Sequence, residues 1–86
     1  MDDKTLQATL EVAKRKAIAN APRHLNLRAV DGLKIAMVQL PKGFTVNWDR
    51  ETNTLNVADV NWTSSDLLNS LTQMLTYIML PAVLQT

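Results

Sequence analysis

Eighty-six residues, 47% apolar and 20% charged, suffice for one small domain and are too apolar for a disordered chain. The absence of cysteine excludes disulfides, thiolate metal sites and cysteine nucleophiles. A net charge of +1 conceals three blocks: residues 1–13 sum to −2, residues 14–42 to +6 and residues 43–86 to −3.

The first predicted element is a helix from residue 3 to about residue 20. Leu6, Leu10, Ala13 and Ala17 fall on one helical face, with Val12 and Ile18 at its edges. Asp2 and Asp3 stand at the start and Lys14, Arg15 and Lys16 in the second half, the order that complements the helix dipole. Pro22 ends the helix, because the residue before a proline is pushed out of the helical region.

Two apolar runs follow, Leu25 to Val30 and Leu33 to Leu40, separated by Asp31-Gly32. That dipeptide between apolar runs predicts a hairpin, since glycine supplies the positive φ of a type I′ turn. The second run is apolar on both faces, as expected of a central strand. The first has weaker strand formers, and part of it reads as loop. Pro41-Lys42-Gly43 is a turn. Phe44, Val46 and Trp48 alternate onto one face of the next strand, and Thr54 to Val57 should pair antiparallel with it across the polar loop Asp49 to Asn53.

The last helix has the clearest start. Thr63 is placed to cap it, Asp66 occupies the capping-box position, and Trp62 and Leu67 form a hydrophobic-staple pair. Leu67, Leu71, Met74, Leu75 and Ile78 form its stripe, which Leu68 and Met79 widen to about 140° at 100° per residue. Pro81 ends it. No charged residue follows Asp66.

These elements predict a single α+β domain over residues 1–86: an N-terminal helix, a three- or four-stranded antiparallel meander, and a C-terminal amphipathic helix packed on the sheet. The span Leu67 to Leu84 is long enough to cross a bilayer, but Asn69, Ser70, Thr72, Gln73, Thr76 and Pro81 argue against that. The acidic, polar start is unlike a secretory signal, so a cytoplasmic protein is expected.

Chemistry-bearing motifs are few. His24 stands alone, without neighbours that complete an acid–base constellation. Asp49, Glu51 and Asn53 alternate as in a calcium loop, but the glycine and the bidentate glutamate of such a loop are missing. No glycine-rich phosphate loop or serine elbow occurs. No enzyme activity, metal or cofactor is expected.

Two surfaces remain. The charge-free side of the last helix, Asn69, Thr72, Gln73, Thr76, Tyr77 and Leu80, has the charge-depleted composition of an interface core, and small chains gain stability by dimerising. The leading expectation is a small protein–protein interaction module, homodimeric through that helix, a sheet edge, or both. The alternative is a nucleic-acid-binding module using the basic block from Lys14 to Lys42, with Lys14, Arg15, Lys16, Arg23, Arg28 and Lys34 as contacts. Against it, Trp48, Trp62 and Tyr77 lie outside the block, so no base-stacking platform is evident.

Overall fold

The structure, a computed structural model, describes residues 1–85. Helix α1 spans Asp3–Ala19; a 3-10 turn spans Leu27–Val30; strands β1, β2 and β3 span Lys34–Val38, Val46–Asp49 and Thr54–Ala58; helix α2 spans Ser64–Met79; a 3-10 turn over Ala82–Leu84 follows.

Local chemistry fixes both helices. Asp2 caps α1 by accepting from the Thr5 amide at 2.8 Å, which satisfies one of the helix's unpaired first-turn donors. Its buried residues are Leu6, Leu10, Ala13 and Ala17, the predicted face. Thr63 caps α2 by accepting from the Asp66 amide at 3.2 Å. Leu67, Leu71, Leu75, Ile78 and Met79 are buried along α2, each worth about 1.5–3 kcal/mol of transfer free energy. Met74 and Leu68 are only half-buried. The two helices pack along each other and together cover one face of the sheet.

The sheet is mixed, with strand order β1-β3-β2. As predicted, β2 and β3 are antiparallel, with Trp48 opposite Leu55 and Val46 opposite Val57. The meander is otherwise corrected. β1 runs parallel to β3, with Ile35 beside Leu55 and Met37 beside Val57, and it lies at the edge, not the centre. β3 takes the centre because Leu55 and Val57 are fully buried. The connection through residues 39–45 must therefore step over the end of β3. β1 is apolar on both sides for a different reason than centrality: Ile35 is buried beneath the helices, whereas Ala36 and Val38 lie half-buried on the uncovered face.

The expected strand over Leu25 to Val30 is a 3-10 turn, so Asp31-Gly32 closes no hairpin. Asn26 accepts from the Arg28 amide at 3.3 Å and starts that turn. Leu25 and Val30 are its buried anchors. Gly32 does take positive φ, 71°, but it leads from the 3-10 turn into β1. Phe44 also departs from expectation. It precedes β2, its amide donates to the Pro41 carbonyl at 3.0 Å, and its side chain is 61% exposed.

Candidate interaction surface

Strand alternation and register put Ile35, Met37, Leu55, Val57, Val46 and Trp48 on the helix-covered face. The other face carries Lys34, Ala36 and Val38, Thr54, Asn56 and Ala58, and Asn47 and Asp49. Since β3 is central, β1 and β2 each present a free edge.

The two edges differ. On β1 the Gln7 side-chain amide of α1 reaches the Ile35 carbonyl at 3.4 Å, covering part of the outward-facing backbone. On β2 the parity is set by the Ala58 amide, which donates to the Thr45 carbonyl at 2.8 Å. Thr45, Asn47 and Asp49 therefore bond inward to β3, and the N–H and C=O groups of Val46 and Trp48 point outward. β2 has no lysine, proline or bulge; of the usual protections of an exposed edge it keeps only its shortness and the charge of Asp49.

The open edge of β2 meets α2. A groove of about 420 Å³ runs between them, lined by Thr45, Val46, Ser70, Gln73, Met74 and Tyr77. Counted at 100° per residue from Leu67, the four helical residues lie between about 240° and 340°, the flank that overhangs β2. Val46 and Trp48 are half-buried beside it. Trp48 is held in place from two sides: its indole N–H donates to Asn53 Oδ1 at 3.3 Å, and the Arg50 guanidinium lies 4.8 Å from the ring centroid.

Of the predicted interface residues, Gln73 and Tyr77 line this groove. Asn69, Thr72, Thr76 and Leu80 lie farther round, at about 140° to 220°, opposite the buried stripe. Asn69 and Thr76 are exposed and Thr72 and Leu80 half-buried. The Thr72 and Thr76 hydroxyls donate to the Leu68 and Thr72 carbonyls at 2.7 and 3.0 Å, so that side already uses its hydroxyl donors internally. Ser70, Met74, Thr45 and Val46 were not predicted; which strand overhangs the helix flank is a matter of topology that no local pattern signals.

The basic residues are dispersed. Lys14, Arg15 and Lys16 are consecutive on α1 and point 100° apart, so they share no face. Lys14 pairs with Glu11 at 3.4 Å, the one ion pair among the described residues. Arg23, His24 and Arg28 are exposed between α1 and β1, and Lys34 opens β1 on the uncovered sheet face. The carboxylates gather no site: no group of three or more His, Asp or Glu able to hold a metal ion occurs among the described residues. Nor is any helix there long and apolar enough to cross a membrane.

No protein-family model, curated protein or solved structure matches this chain. The functional reading therefore rests on the geometry alone.

Proposed function

We propose that this protein is a small, non-enzymatic interaction module that self-associates through the open edge of β2 and the adjoining flank of α2. The observation that carries the reading is the groove in which Gln73, Met74 and Tyr77 overhang the edge at Val46. A half-buried apolar strip, an uncharged helix flank and a row of outward backbone donors and acceptors together fit strand addition. A second copy supplies a matching edge. Cytoplasmic residence belongs to the same proposal and draws on the sequence alone.

Size-exclusion chromatography with light scattering at high micromolar concentration tests it, with a dimer expected. Val46→Pro removes an outward N–H at an edge position that tolerates proline, and Gln73→Arg puts a charge into the groove; both should yield monomer with unchanged far-UV circular dichroism. Thr76→Arg lies outside the groove and should leave the dimer intact. A dimer lost only in Thr76→Arg would move the interface to the outer side of α2, and a strictly monomeric wild type would remove the claim. Nucleic-acid binding through the basic block draws support only from the exposure of Arg15, Lys16, Arg23, Arg28 and Lys34. It requires DNA or RNA affinity that falls steeply with salt.

A further inference from the structure

We propose that residues 81–85 form a strap that Gln85 closes over the C-terminal end of α2, and that the strap governs the groove through Tyr77. α2 ends without the usual devices. Leu80 and Pro81 leave the helix in extended conformations, at φ −62°, ψ 146° and φ −54°, ψ 144°, so no left-handed residue turns the chain back. No basic residue stands in the last turn to meet the final carbonyls and the negative end of the helix dipole. Gln85 supplies donors instead, from outside the helix. Its Nε2 donates to the carbonyls of Tyr77, Ile78 and Leu80 at 3.1, 2.9 and 3.0 Å. An amide nitrogen carries two hydrogens, so at least one of them is shared between carbonyls. With the Asn26 amide on the Met79 carbonyl, the carbonyls of Tyr77, Ile78, Met79 and Leu80 all accept from protein donors.

The strap is built inside out. Ala82, Val83 and Leu84 are exposed, Val83 to 82%, whereas Gln85 is half-buried against the helix end. The 3-10 turn aims Gln85 back: the Leu84 amide donates to the Pro81 carbonyl at 2.8 Å and the Gln85 amide to the Ala82 carbonyl at 3.1 Å. Apolar burial therefore does little to hold residues 82–84, and one polar side chain fixes the segment. A segment held this way opens at a far lower free energy than the domain unfolds. Opening takes the Gln85 donors from the Tyr77 and Ile78 carbonyls and lets the last turn of α2 fray. Tyr77 belongs to both features: its carbonyl accepts from Gln85, and its side chain lines the groove beside β2. The closed strap thus keeps Tyr77 where the groove requires it. That consequence rests on the self-association proposed above; the strap itself does not.

Amide hydrogen exchange of the full chain reads the strap directly. Gln85→Ala should speed exchange at the Leu80 and Leu84 amides about tenfold and leave the Leu67 amide, at the other end of α2, unchanged. Gln85→Glu has no donor and sets a negative charge at the carbonyl end of the helix, so it should do at least as much. Gln85→Lys keeps donors and adds the cation that the last turn lacks, and should stay near the wild type. Equal rates at Leu80 and Leu84 in the wild type and Gln85→Ala, or in Gln85→Glu and Gln85→Lys, would overturn the strap. Light scattering on the same variants reads its hold on the groove. Self-association should weaken in Gln85→Ala, for each chain, by the factor by which the closed fraction falls. Faster exchange with an unchanged dimer keeps the strap and overturns its hold on the groove. A monomeric wild type removes the self-association reading and that hold with it, and the exchange rates still decide the strap.

Discussion

The backbone N–H of Asn26 donates to the carbonyl of Met79 at 2.8 Å. This bond ties the start of the first 3-10 turn to the last residue of α2, and it gives one of that helix's unpaired final carbonyls a partner. Met79 is fully buried, so its carbonyl has no ready replacement in water. Asn26 has φ −84°, close to the range that proline imposes. Asn26→Pro thus removes the donor with little backbone strain. It also removes the side chain that accepts from the Arg28 amide, which Asn26→Ala removes while keeping the N–H. Asn26→Pro should therefore cost about 1–3 kcal/mol more than Asn26→Ala for the carbonyl left unsatisfied, read from the shift in urea midpoint, and equal midpoints would mean that the tie contributes nothing.

The core makes a sharper contrast within one sheet. Leu55 in β3 is fully buried, whereas Phe44, just ahead of β2, is 61% exposed. Leu55→Ala should destabilise by about 2–5 kcal/mol, transfer and cavity together. Phe44→Ala removes a larger side chain and should stay within about 0.5 kcal/mol. Equal losses would place Phe44 in the core face, as strand alternation alone suggests.

What could be read from the sequence divides along the same line. Both helices were legible because their signals are local: the cap at Thr63, the stop at Pro22, and the spacing of Leu6, Leu10, Ala13 and Ala17 each lie within a few residues. The β2–β3 hairpin was legible for the same reason. The pairing of β1 with β3 was not. It joins Lys34–Val38 to Thr54–Ala58 across a whole intervening strand, and no turn residue announces it. The Asp31-Gly32 signal was real as a turn, yet Asn26 capping and the helix formers Arg28 and Ala29 made its first arm helical. The candidate site followed suit. Its helical half showed as charge depletion after Asp66. Its strand half depended on β2 being an edge, which only the topology decides.

Gly32 isolates backbone strain from packing. Its φ is 71°, and a Cβ built there meets nothing within 4 Å. Gly32→Ala should still destabilise, by about 1–2 kcal/mol, because an L-residue in the left-handed region crowds its own carbonyl. Chemical denaturation measures it. A neutral or stabilising result would mean that the turn relaxes to negative φ, leaving only the entropy gain of restricting the unfolded chain.

The cap of α1 carries a pH signature. The Asp2 carboxyl is held below its ordinary value of 3.8, chiefly by the Thr5 side chain and then by the Thr5 backbone amide. The hydrogen bond from the amide is made at 2.8 Å, and both interactions favour the ionised form. A folded-state pKa below the unfolded one contributes stability that is fully present above the unfolded value and disappears as the pH falls through the folded one. The first turn of α1 should therefore keep its cap at neutral pH and lose it only in acid below the ordinary aspartate range. A carbon-13 titration of the Asp2 carboxyl should give a midpoint below 3.8. Thr5→Val, which removes the hydroxyl and keeps the amide, should move that midpoint part of the way back up. If the midpoint does not move, the backbone amide alone sets the shift and the order of the two causes is reversed.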